Sequence, residues 1–218
     1  MTDLTRRSVV AGASATAAAA LAATPASAQR RRAGIAPEAQ EAVGVIGTLV
    51  QDGLAMTGFG WLTHVEGVPD DALYTDPATH SAETARLTWY AEAEVTGRDF
   101  LPNLFSATAT GRLRIYAQPD GGAVADEPAS FAAGRRIANH DATFRNVLTV
   151  IAPDQAVTEV TGDLRQRSAA EFRLAGRTLR LGRRNLEQRL LASGPGTRTE
   201  PAIPRATFHV AGSLVIPA

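Results

Sequence analysis

The sequence predicts an all-β protein, a single antiparallel β-barrel of roughly 8–10 strands, with a two-sheet sandwich as the second architecture. Three observations carry this. Apolar and polar residues alternate with period two along most of the chain, the signature of strands with one buried and one solvated face. Turn residues separate the alternating runs: Asp52-Gly53, Asp120-Gly121-Gly122, Ala152-Pro153-Asp154, Ala175-Gly176 and Gly194-Pro195-Gly196. No stretch carries the 3.6-residue period over three helical turns. Closing the sheet removes the exposed edges that would otherwise invite aggregation, which favours the barrel.

Residues 1–28 are read as a leader outside the fold. Arg6-Arg7 precedes a weakly apolar, Ala-rich run from Val9 to about Ala23, and Ala26-Ser27-Ala28 places small residues at a cleavage site. This resembles a twin-arginine export signal. The run is shorter than the ~20 residues a membrane-spanning helix needs, so the expectation is export without membrane insertion after cleavage, to a periplasmic or extracellular address. Residues 29–41, with Arg30-Arg31-Arg32, read as a flexible lead-in, and 42–218 as one barrel domain.

Within that domain Gly47–Gly60 reads as a hairpin about Asp52-Gly53. Leu87, Trp89, Ala91, Ala93 and Val95 share one strand face, opposite Thr88, Tyr90, Glu92 and Glu94. Phe105, Ala107, Ala109, Leu113 and Ile115 alternate with Ser106, Thr108, Thr110, Arg112 and Arg114. Phe144, Leu148 and Val150 form the next apolar set, then Val160, Gly162 and Leu164, and finally Phe208, Val210, Gly212, Leu214 and Ile216. The connections Val68–Ala85 and Pro128–Gly134 each suit one short helical turn, the second with proline at its start.

Composition narrows function mainly by exclusion. The chain has no cysteine, which removes disulfides, thiol catalysis and cysteine metal sites. All 22 basic residues are Arg and none is Lys, which removes Schiff-base chemistry and a P-loop lysine. Basic and acidic residues balance at 22 each, so a nucleic-acid surface built on bulk charge is not expected. No Gly-x-Ser-x-Gly, His-Glu-x-x-His or glycine-rich phosphate loop occurs. No cofactor is expected.

Gly47-Thr48-Leu49-Val50-Gln51-Asp52-Gly53 and Leu62-Thr63-His64-Val65-Glu66-Gly67, behind the export signal, resemble parts of an exported bacterial β-barrel family. The layout is similar in shape to allene oxide cyclases and dirigent proteins. The resemblance implies architecture and brings no site residue with it.

His64, Glu66, Asp70, Asp71, Asp76 and His80 form the densest polar constellation and are a candidate divalent-metal site. Their spacing matches no named metal motif, and Pro69-Asp70-Asp71 and Asp76-Pro77 read equally as turns, so no metal is assigned. Glu92 and Glu94 with Tyr90 form an acidic row, and Arg112, Arg114, Arg145 and Arg165 face the same way on other strands. Cross-strand ion pairs on a solvated outer surface explain both sets. Arg173, Arg177, Arg180, Arg183, Arg184 and Arg189 form a basic cluster without aromatic residues for base stacking, read as a solvated face.

The apolar faces are more informative. Ala91, Ala93, Ala107, Ala109, Gly111, Gly162 and Gly212 stand where core-filling side chains are expected, leaving room between Trp89, Phe105, Phe144 and Phe208. Asn146, in phase with Phe144 and Leu148, adds one amide. Trp89, Phe105, Phe144, Asn146 and Phe208 are therefore the candidate ligand-binding residues. The expectation is a barrel binding a small apolar or amphipathic molecule in its interior. The alternatives are a cofactor-free cyclase or isomerase using Asn146, Tyr90 or Glu92, and an interaction module with a filled core. An interior Glu, Tyr or His favours the enzyme, one amide among apolar groups favours carriage, and a cavity-free interior favours the module.

Overall fold

A computed structural model describes residues 41–200 and 205–217; the leader at 1–28 lies outside the described residues. Eight strands close into an antiparallel barrel: β1 (Glu41–Asp52), β2 (Ala55–Val65), β3 (Leu87–Leu101), β4 (Leu104–Ala117), β5 (Arg135–Ala152), β6 (Gln155–Ala169), β9 (Glu187–Glu200) and β10 (Arg205–Val215). β7 (Glu171–Leu174) and β8 (Arg177–Arg180) form a separate hairpin between β6 and β9. Sequential strands pair, and β1 closes the ring against β10 with Leu49 opposite Phe208. Single 3-10 turns occupy Asp70–Leu73 and Pro128–Ala132, where short helical turns are expected.

The two ends of the barrel differ because their connections differ. One end carries tight reversals at Gly53-Leu54, Pro102-Asn103 and Pro153-Asp154, each with one residue at positive φ: Gly53 at 62°, Asn103 at 62° and Asp154 at 59°. Proline followed by a residue at positive φ is type II turn chemistry. The other end carries the long connections and is plugged. Leu73, Tyr74 and Ala85 from one loop, and Phe172, Leu174 and Leu179 from the β7–β8 hairpin, are buried in one core with the barrel interior. Gln166 pins the return of that hairpin: its Nε2 donates to the Leu181 carbonyl at 2.7 Å, and its Oε1 accepts from the Arg183 N–H at 3.0 Å.

A second, smaller core lies outside the barrel wall. The segment after β4 folds over β2 and β3, and Phe131 meets Phe59 with ring centroids 5.2 Å apart. Thr88, outward by phase, is fully buried there, its hydroxyl donating to the Phe131 carbonyl at 2.7 Å. Elsewhere the outer wall carries charge pairs: Arg114–Glu92 at 2.7 Å, Arg189–Asp163 at 3.1 Å and Arg167–Asp141. These sit where a membrane-spanning barrel would need an apolar band.

One expected turn is corrected. Gly194-Pro195-Gly196 lies inside β9. Its pairing with β6 runs on without interruption, while the ladder to β10 lapses between Gly196↔Phe208 and Ser193↔Ala211. The lapse leaves no ladder position for the proline to fill with its missing N–H, and the flanking glycines let β10 approach closely.

Candidate functional site

The barrel interior contains two spaces, and the sequence-predicted residues divide between them. The inner one is a void of about 40 Å³ lined by Trp89, Phe144, Val45, Met56, Val160 and Leu190 among others. It can hold a water or two but no larger molecule. The outer one, about 340 Å³, opens at the short-turn end. Phe105 and Phe208 line it, with Phe100, Leu148, Val150 and Ala107. That volume falls at the small end of ligand sites.

Small residues do a different job from the one expected. Trp89 is seated where Gly47 and Gly58 have no side chain: a Cβ on Gly58 would stand 2.9 Å from the indole and 2.7 Å from Leu49. The indole Nε1 donates to the Ile46 carbonyl at 3.1 Å. Gly162 accommodates Phe144 in the same way, at 3.1 Å, and Gly196 accommodates Phe208. The rings thus fill the middle of the barrel, and the free volume is displaced to the mouth.

Asn146 is 1% exposed and sits in register with Ala107 on one side and Val160 on the other. Ala107 lines the mouth and Val160 the void, so the amide stands at a level between the two spaces and lines neither. Its Oδ1 accepts from the Thr158 hydroxyl, and its Nδ2 has no hydrogen-bond partner. An unpaired buried amide donor costs on the order of 1–3 kcal/mol, which a bound acceptor would relieve.

Several polar residues of the mouth were not legible in the sequence. Straight alternation from Val95 places Arg98 on the outer wall. A β-bulge between Val95 and Gly97 inserts one residue, so that Arg98 pairs with Ala107 and faces inward. Arg98 Nη2 donates to the Gly53 carbonyl at 2.6 Å, and no carboxylate lies within ion-pair distance of it among the described residues. Gln51, Ser106, Asp154, Gln155, Thr197 and Arg205 complete the polar part of the described lining, Arg205 being paired with Asp52 at 2.7 Å. The rim is apolar: Phe100 and Ile151 are each 64% exposed, Leu101 65% and Leu54 52%.

The other candidates fall elsewhere. Tyr90 and Glu92 face outward, Tyr90 half-buried against the outer core and Glu92 bound to Arg114. Burial and the Glu92 charge push the Tyr90 hydroxyl above its ordinary value. His64 bonds Asp70 at 2.9 Å, whereas His80 lies 3.9 Å from Asp71 and stacks on Tyr74. Asp76 accepts from the Ala78 N–H and the Thr79 hydroxyl, and these bonds hold its carboxyl below the usual range. Among the described residues no three His, Asp or Glu side chains are placed to hold a metal ion.

The interior histidine is His140, 1% exposed, which shares the phase of Phe144 and was legible on that ground. Its Nδ1 donates to the Leu113 carbonyl at 3.2 Å. Burial pushes its imidazole below the ordinary value, against weaker opposition from the Leu113 carbonyl and Gln188. It lines neither the void nor the mouth.

Fold and site together define a closed antiparallel barrel, plugged at one end, with an apolar mouth at the other. No family model, curated protein or solved structure matches the chain.

Proposed function

We propose that the protein is exported by the twin-arginine route and binds a small apolar or amphipathic molecule in the mouth of its barrel. The observation that carries the binding is the 340 Å³ space walled by Phe100, Phe105, Leu148 and Phe208. Apolar walls exposed to water are costly unless something covers them. Phe105 and Phe208 would contact the ligand directly. Trp89 and Phe144 would support it from below, and Asn146 would offer its spare donor to a polar atom reaching that depth. The cyclase or isomerase reading loses Tyr90 and Glu92, which face away from the interior, and is left with Asn146 and with His140, which is interior but lines neither space. The likeness to exported bacterial barrels remains a proposal of shape.

The binding is tested with 1-dodecanol, a neutral apolar probe, by titration calorimetry. The expected result is saturable binding that A156F abolishes, because Ala156 lines the mouth and a phenyl group there fills it. Absence of binding, or binding indifferent to A156F, overturns the reading. For export, replacing Arg6 and Arg7 with Lys should leave precursor in the cytoplasm, and unchanged export refutes that route.

A further inference from the structure

The mouth is asymmetric in charge as well as polarity, and this narrows the ligand. Arg98 reaches the interior because of the bulge at Val95–Gly97, which reverses the phase of the last turn of β3. Without the bulge, the guanidinium would join Glu92 and Glu94 on the solvated wall at no desolvation cost. Bulges of this kind re-aim a side chain, and here the re-aimed side chain is a cation among Phe100, Phe105 and Phe208. Its one bond among the described residues, to the Gly53 carbonyl, uses a single N–H of the five a guanidinium offers. The remaining donors are a fork suited to a carboxylate or similar oxyanion.

Neighbouring charges leave that role to Arg98. Arg205 is already engaged by Asp52 across the β1–β10 pair. Asp154 is the carboxylate of the described lining and belongs to the β5–β6 turn, its backbone at φ 59°. No ion pair joins it to Arg98.

We infer that the ligand is an amphipathic anion, with its single negatively charged head on Arg98 at the mouth and its apolar body among Phe105, Leu148 and Phe208. This rests on the binding reading above and adds the head-group chemistry to it. Arg98 would be a specificity-determining residue and the bulge at Thr96-Gly97 its positioning element.

The test compares three probes of equal chain length on the purified full chain: dodecanoate, 1-dodecanol and dodecyltrimethylammonium. Dodecanoate should bind at least roughly tenfold more tightly than the alcohol, and the cation more weakly than either, as a charge-assisted bond in a partly buried site would give. Its advantage should shrink as salt is raised. R98Q should bring dodecanoate to the level at which the same variant binds dodecanol, and R98K should restore part of the difference. Equal affinities of the acid and the alcohol in the parent protein overturn the anion assignment but leave the mouth as a binding site. Failure of all three probes to bind removes the binding reading itself. The probe comparison in the parent needs no variant, so it decides the matter even where R98Q folds poorly.

Discussion

At the scale of single residues, the interior is decided by where side chains are missing. Gly58 must lack a Cβ because Trp89 and Leu49 occupy its place. G58A should therefore overpack the core at a cost of about 1–3 kcal/mol, seen as a lowered melting temperature with altered Trp89 emission. Gly97 is the control: its nearest neighbour would be Thr108 at 4.0 Å, so G97A should stay within about 0.5 kcal/mol of the parent. Stability of G58A equal to that of G97A would contradict the ring-seat account. His140 gives a pH prediction. Its folded imidazole is held below the ordinary value by burial, so the unfolded chain takes up the proton first as pH falls. Stability from this group is complete above about pH 6.5 and declines below it, by up to about 1.4 kcal/mol per pH unit. Urea unfolding between pH 7 and 5 should show this slope, and H140Q should flatten it.

At the scale of elements, turn chemistry and bulges set what each strand presents. The β7–β8 hairpin turns through Ala175 and Gly176 at φ 48° and 74°, both positive, as a type I′ turn requires. Alanine is a poor residue for that conformation, and asparagine a good one. A175N should raise stability by roughly 0.5–1 kcal/mol, measured by denaturant midpoint, because the hairpin buries Phe172, Leu174 and Leu179 in the shared core. A lower midpoint would mean the hairpin opens independently of the barrel. The β3 bulge belongs to the same scale. One inserted residue converts an outer-wall arginine into a mouth residue, and no local property of Thr96 or Gly97 announces it.

At the scale of the whole molecule, closure depends on the two ends of the chain. β1 pairs with both β2 and β10, and Thr48 meets His209 across 161 residues of sequence, Oγ1 to Nδ1 at 3.2 Å. Removing β10 would expose the edges of β1 and β9 together, with their unpaired backbone groups. Truncation after Glu200 should therefore give aggregated material on size-exclusion chromatography, while the full chain unfolds in one cooperative step. A soluble, strand-rich truncation product would show that the sheet holds without closing. The surface ion pair Arg189–Asp163 should matter little to that stability, being solvent-exposed on both sides.

The sequence by itself determined the all-β class, the strand phases of β3 as far as Val95, of β4 to β6 and of β10, the positions of most reversals, and the burial of Asn146. Each of these follows from a period of two and from local turn preferences, which neighbouring residues dictate. It did not determine how volume is shared inside the ring. Small residues in an apolar phase are consistent with an empty space or with a seat for a ring from another strand. The choice depends on register: Gly58 lies opposite Ala91, beside Trp89, and Gly162 lies opposite Phe144. Nor did it place Arg98, since a bulge is resolved only when β4 fixes which residue of β3 has no partner. The division between a plugged base and an open mouth follows from the antiparallel strand order, which puts the described two-residue turns between barrel strands at one end and the long connections that carry Leu73, Tyr74 and Phe172 at the other, where tertiary packing folds them into the core.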